Sequence, residues 1–226
     1  MRNRLLVVAA TDAEADALRR IPGIISSSEG YSLGNCEIAS LVTGVGSIST
    51  SWAMAKWISA NQKPDLAVNI GIAGTYREDI KIGEVVVPVS DCFADSGIEN
   101  GNEFKTLAEA GLEDPNRFPF REGKIRVENK YIALTLKILR QVNAITVNTA
   151  SGSVESIGKL RKKYNPDIET MEGGTFFYIC SREKIPFLAL RSISNRVEPR
   201  DKDKWNIPLA LNSLSEKLNE FLLMVK

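Results

Sequence analysis

Residues 66–74 read Leu-Ala-Val-Asn-Ile-Gly-Ile-Ala-Gly, an apolar run without period-two alternation that closes on small residues. A run of this kind fits a strand covered on both faces, as in a sheet sandwiched between helices. Comparable runs lie on either side of it. Leu5 to Ala10, Ile38 to Thr43, Glu84 to Val89, Ala144 to Ala150 and Pro186 to Ile193 all read as buried strands. Helical spacing falls between them, over Asp12 to Arg20, from Thr43-Gly44-Val45-Gly46 through Ile58, over Thr170 to Arg182, and over Leu209 to Met224. The alternation predicts one α/β domain spanning residues 1–226, three layers deep (α/β/α), around a mixed and mostly buried central sheet. Asp91 to Gly123, rich in Gly, Asp, Glu, Asn and Pro, lacks periodicity; it is either a solvated loop or an excursion over the mouth of a site.

Composition removes several function classes. Lys and Arg number 29 against 28 Asp and Glu, so the chain has no basic excess with which to cover nucleic acid or an anionic membrane. There is no histidine. A Ser-His-Asp triad, a Cys-His pair and a histidine-ligated metal are therefore excluded. Cys36, Cys92 and Cys180 are odd in number and widely spaced, which fits buried free thiols better than a disulfide framework or a thiolate metal site. Arg2-Asn3-Arg4 precedes only six apolar residues before Asp12, too few for a secretion signal, and Ile38 to Ala55 carries too much Ser, Thr and Gly to span a membrane. A cytoplasmic protein without metal or cofactor is the expectation.

In open α/β sheets ligands bind beyond the carboxyl ends of the strands. Those ends here are Ala9-Ala10-Thr11-Asp12, Thr43-Gly44-Val45-Gly46, Gly71-Ile72-Ala73-Gly74, Ala150-Ser151-Gly152-Ser153 and Arg191-Ser192-Ile193-Ser194-Asn195. Gly74, Ser151, Gly152 and Ser194 are thereby candidate substrate contacts. The Thr43 to Gly46 turn has Ser49 where a dinucleotide fingerprint needs its third glycine, and no Gly-Lys-Ser/Thr follows it, which disfavours dinucleotides and nucleoside triphosphates. Glu14 lies near a helix start, where its charge either favours the dipole or serves a site. Glu172 sits among small and apolar neighbours before Gly173-Gly174, and is either paired internally or placed for a polar ligand. Arg191, inside an apolar strand, is a salt-bridge partner for one of these acids or a ligand contact.

Taken in order, these pieces resemble the purine nucleosidase/phosphorylase superfamily, and within it the 5′-methylthioadenosine/S-adenosylhomocysteine nucleosidase branch. The likeness rests on Ala10 to Glu14, Thr43 to Gly46, Lys63-Pro64-Asp65 leading into Asn69 to Gly74, Ile82 to Val87, Ser151-Gly152, Met171-Glu172-Gly173 and Arg191 to Asn195, and covers nearly the whole chain. It implies a nucleoside phosphorylase/hydrolase-like fold, a small purine nucleoside as substrate and a homo-oligomer. Glu14 would be the base that activates water, Met171 and Glu172 would hold the ribose, and Arg191 would help organise the water. The branch usually has an aromatic ring after the Ser-Gly turn; Ser153-Val154-Glu155 offers none.

Asn195 stands where the adenine-specific branch has an aspartate. An amide cannot supply a proton, but its NH2 can donate to N7 or to a 6-oxo group. A carboxylate facing that oxo group would oppose two acceptors, at a cost of about 1–3 kcal/mol. Asn195 therefore points to a 6-oxopurine nucleoside. The run Arg191 to Arg200, followed by Lys204 to Ala210, is similar to the futalosine hydrolase branch of the superfamily, which releases hypoxanthine from futalosine in the menaquinone pathway. That likeness brings in Glu198, Arg200 and Trp205; Arg200 would pair either with the substrate's benzoate or with Glu198. Phosphorolysis is disfavoured because Asp12, Glu14 and Asp16 would repel phosphate before Arg19 could bind it. A nucleoside-binding protein without catalysis remains the reading from another class.

Overall fold

The protein is described here by a computed structural model, covering residues 3–225 apart from 29, 102 and 200. Strands β1 (Asn3–Ala9), β4 (Cys36–Val42) and β5 (Leu66–Thr75) follow one another with α1 (Asp12–Arg19) and α2 (Ser47–Ala60) as crossovers; β2 (Ile25–Ser27) and β3 (Gly30–Leu33) precede β4. Next come β6 (Val85–Asp91), the hairpin β7 (Gly97–Asn100) and β8 (Glu103–Thr106), β9 (Ile125–Arg126) and the short α3 (Ile132–Thr135). The chain closes with β10 (Arg140–Thr146), α4 (Val154–Tyr164), β11 (Ile168–Thr170), α5 (Gly173–Arg182), β12 (Phe187–Arg196) and α6 (Ile207–Val225).

The expected sheet is present, and it is mixed. Its order is β11-β10-β6-β12-β5-β1-β4-β3-β2, parallel through β12-β5-β1-β4 and antiparallel between β6 and β12. β1 to β4 and β4 to β5 cross in opposite directions, so right-handed connections put α1 and α2 on opposite faces. α6 packs beside α1, and α5 beside α2, completing the helical layers. β11 also pairs with the end of β5, through Ile168 opposite Thr75 and Glu169 opposite Gly74. That second ladder closes β5, β12, β6, β10 and β11 into a ring. Each of its strands sends an apolar residue to one cluster, Ala73, Ile193, Val86, Ala144 and Ile168 among them, which fills the ring.

Several boundaries differ from the sequence reading. The strand expected over Ala144 to Ala150 runs from Arg140 to Thr146, because Ser151 and its neighbours turn away towards α4. The helix expected from Thr170 begins at Gly173, since Thr170 ends β11 and Glu172 caps the helix with a non-helical backbone. Within Asp91 to Gly123 an exposed hairpin, β7–β8, is formed. All three cysteines are buried and free. Among the described residues no helix is long and apolar enough to cross a membrane.

Candidate active site

Glu14 reaches the site because α1 starts with a capping box. Thr11 accepts from the Glu14 amide at 3.3 Å, while Glu14 Oε2 takes the Thr11 amide at 3.0 Å and the Thr11 hydroxyl at 2.9 Å. Its other oxygen crosses to β5 and accepts the Ile72 amide at 3.0 Å. Gly71 makes this approach possible: a Cβ there would lie 2.8 Å from Glu14 Oε1 and 3.6 Å from Arg191 Nη1. Glu14 thus caps its helix and also turns a buried carboxylate toward the strand ends.

Arg191 is 2% exposed and sits on β12 beside Gly71. Its Nη1 donates to the carbonyls of Asn69 (3.1 Å) and Leu190 (3.2 Å), and its Nη2 to Asn69 Oδ1. Asn69 is itself held by Nδ2 on the Val8 carbonyl at 2.9 Å. Burial pulls the Arg191 guanidinium below its ordinary pKa, while Glu172, Glu14 and Asp91 act in the opposite sense. Three acids therefore surround one buried cation, with hydrogen bonds to Asn69 fixing its orientation. Glu172, the N-cap of α5, accepts the Gly46 amide at 2.8 Å. Burial raises its pKa, more than Gly46 and Arg191 lower it. The neighbouring Met171 carbonyl takes the Ser47 hydroxyl at 3.5 Å, so the Thr43 to Gly46 turn and the start of α2 border the same space.

The base-side candidates lie further along β5 and β12. Asn195 pairs with Gly74 after a bulge at Ser194, whose hydroxyl donates to Asn195 Oδ1 at 2.8 Å; Asn195 Nδ2 donates to the Arg196 carbonyl at 2.8 Å. Ser151 gives its amide (2.8 Å) and hydroxyl (2.6 Å) to Glu169 on β11, and Gly152 follows it at the surface. The Asn206 amide bonds to the Ser194 carbonyl at 2.9 Å, which brings half-buried Trp205 next to the end of β12. Arg200 lies outside the described residues. Glu198, offered above as its surface partner, is paired with Lys204 at 3.2 Å. Among the described residues no three Cys, Asp or Glu side chains gather as a metal-binding set.

Sequence reasoning missed Thr11, Asn69, Asp91 and Glu169. The first was legible, because Thr11-x-x-Glu14 is a capping-box spelling. Asp91 was not. It ends β6 as a fully buried acid whose Oδ1 accepts the Thr146 hydroxyl at 2.9 Å, and whose Oδ2 has no partner among the described residues. A Cβ on Gly173 would collide with that oxygen, so the paired glycines make room for an internal carboxyl. Burial pushes Asp91 up to about 7 despite Thr146 and Arg191. The folded state then holds a proton that the unfolded chain releases near pH 4, so stability falls as pH rises from about 4 to 7, by an amount on the order of 4 kcal/mol. Asp91→Asn, which mimics the protonated acid, should lack that fall when denaturant midpoints are followed over this range. Identical pH dependence in the two proteins would refute the assignment.

Comparison with known proteins follows the same outline. A family model described as "Phosphorylase superfamily" matches residues 4–223. The futalosine hydrolase of Thermus thermophilus is 27% identical over 185 residues, which cover 80% of each chain. The 5′-methylthioadenosine/S-adenosylhomocysteine nucleosidase of Buchnera aphidicola is also 27% identical, over 96% of this chain and 94% of that one. Among solved structures, Helicobacter pylori futalosine hydrolase superposes with a TM-score of 0.78 over 98% of both chains at 16% identity, a likeness of fold.

Proposed function

The chain belongs to the phosphorylase superfamily, and from that premise we propose that it hydrolyses the N-glycosidic bond of a 6-oxopurine nucleoside, with futalosine as substrate and hypoxanthine as the released base. Relatives of equal identity carry two different names, so base choice rests on residues. The observation that carries the reading is Asn195, an amide paired with Gly74 at the end of β12.

The chemistry divides among the groups already placed. Departure of the purine moves the bonding electron pair from the anomeric carbon to the base and leaves the ribose cationic. Water bonds to that carbon and gives its proton to Glu14, a general-base role worth about 10²–10⁴-fold. Glu172 holds ribose hydroxyls more tightly as positive charge develops, as contacts to the 2-OH do in glycosidases. Met171 lies against the sugar. Arg191, buried behind the carboxylates, fixes their relative placement and that of the water. Asn195 donates to N7 or O6 of the departing base, which takes its final proton from solvent. Gly74, Ser194, Ser151 and Gly152 border the base, and Trp205 and Arg200 serve the part of the substrate beyond the ribose.

The match to the methylthioadenosine nucleosidase favours adenine as the second reading. Hypoxanthine release from futalosine, compared with adenine release from methylthioadenosine in phosphate-free buffer with a chelator, decides between them. Asn195→Asp should weaken hypoxanthine release and raise turnover of 6-amino nucleosides, shifting the ratio about tenfold or more. An unchanged ratio would mean that Asn195 does not face the base. The same reading includes a homo-oligomer, supported by exposed apolar Val45, Ile48 and Trp52 where α2 begins beside Glu172.

A further inference from the structure

Helix α5 starts without help from its own N-cap. Glu172 holds that position, where a Ser, Thr, Asp or Asn side chain usually turns back to accept one of the first free amides. The Glu172 side chain makes no such bond. Its carboxylate crosses instead to the Gly46 amide at 2.8 Å. The amides of Gly173 and Gly174 are buried and need acceptors from elsewhere.

The strands supply them. β6, β10 and β11 lie side by side and parallel, and they end in Asp91, Thr146 and Thr170, all buried. The Gly173 amide donates to the Thr170 hydroxyl at 3.2 Å, and the Gly174 amide to the Thr146 hydroxyl at 2.6 Å. Thr146 in turn donates to Asp91 Oδ1 at 2.9 Å. With that proton committed, Thr170, its register partner 3.2 Å away, is the donor between the two hydroxyls. Thr146 thus sits at the centre, accepting twice and donating once, the full capacity of a hydroxyl. The paired glycines allow this approach. A Cβ on Gly173 would collide with Asp91 Oδ2 and lie 2.8 Å from Thr170 Oγ1, and one on Gly174 would lie 3.1 Å from Thr146 Oγ1.

We propose that Thr146 is a positioning residue for sugar recognition, capping α5 in place of the Glu172 side chain and so leaving the Glu172 carboxylate to face the ribose. This rests on the reading of Glu172 as the ribose-binding group and names the residue that sets its aim. Without the Thr146 hydroxyl the Gly174 amide is stripped of its acceptor. The group that an N-cap ordinarily offers to such an amide is its own side chain. Glu172 then turns from the sugar to the helix.

Purine release from futalosine, compared with release from its 2′-deoxy and 3′-deoxy analogues, tests this. The unmutated protein should prefer futalosine to at least one analogue by about tenfold to hundredfold in kcat/KM, the worth of a hydrogen bond to a charged group. Thr146→Val keeps the outline of the side chain without its hydroxyl, and should reduce that preference about fivefold or more. Thr146→Ser, which restores the hydroxyl, should recover most of it. If Thr146→Val does not fold, Thr170→Val, which strips the Gly173 amide instead, takes its place with the same expected direction. Equal losses on all three nucleosides, with the preference intact, would show a merely structural threonine and overturn the proposal. A serine variant no better than the valine one would overturn it too. An unmutated protein without preference for futalosine over either analogue would sink the ribose role of Glu172 itself, and the proposal with it. Release from none of the three would refute the futalosine reading as well.

Discussion

Glu14→Gln should lower kcat by about 10²–10⁴-fold while substrate affinity stays near that of the unmutated protein. The carboxylate is well placed to take a proton, because it is held from two sides. Oε1 bonds to the Ile72 amide on β5, and Oε2 to the amide and hydroxyl of Thr11. The same contacts make the variant less than silent structurally. Whichever way the glutamine amide turns, its NH2 faces a backbone N–H, at a cost of about 1–3 kcal/mol. The assay therefore belongs well below the variant's unfolding midpoint. Thr11→Ala is the matching control: it removes the cap, costs about 1 kcal/mol and leaves the carboxylate in place. Retention of more than about a tenth of kcat by Glu14→Gln would end the assignment of Glu14 as general base.

Arg191→Met should cost about 3–5 kcal/mol of stability, the usual penalty for removing one partner from a buried charge cluster. The guanidinium is almost inaccessible, and Glu14, Glu172 and Asp91 all act on it. Without it these carboxyls face one another in a poorly solvated space and must take up protons or admit water. The loss should therefore be smaller at pH 5 than at pH 8, when urea midpoints are compared. Arg191→Lys restores charge but not the fork to the Asn69 carbonyl and side chain, so recovery should be partial. A methionine variant within 1 kcal/mol of the unmutated protein at pH 8, about the size of a weak hydrogen bond, would show that Arg191 does not neutralise the cluster.

The sheet and the charged candidates Glu14, Glu172 and Arg191 were legible from the sequence for different reasons. Leu5 to Ala9 of β1, most of β5 and Phe187 to Leu190 of β12 are apolar and buried, so burial on both faces shows directly. Glu14, Arg191 and Glu172 stand at the ends of readable elements, and each has an environment that an order-of-residues argument can reach. β11 escaped notice because it has three residues with a charged one at its centre. α4 was missed although Ile157, Leu160 and Tyr164 fall at helical spacing and pack on one cluster, because charged residues fill the rest of its eleven positions. Glu169 was lost with β11, since its place opposite Gly74 comes from a ladder with β5 that local periodicity does not announce. The glycines after Glu172 admit the side chain of Asp91.

The closure of β11 onto β5 also bears on mechanical behaviour. In an open ribbon of strands, one strand can creep along its neighbour by breaking a single ladder. In a hoop, any such slip strains every joint around the circumference. β5 is clasped by β12 on one side and by β11 on the other, both at Gly74. The end of β5 around Gly74 is therefore stiff against shear. At the far margin of the sheet, the exposed three-residue β2 has no second neighbour among the described residues to brace it.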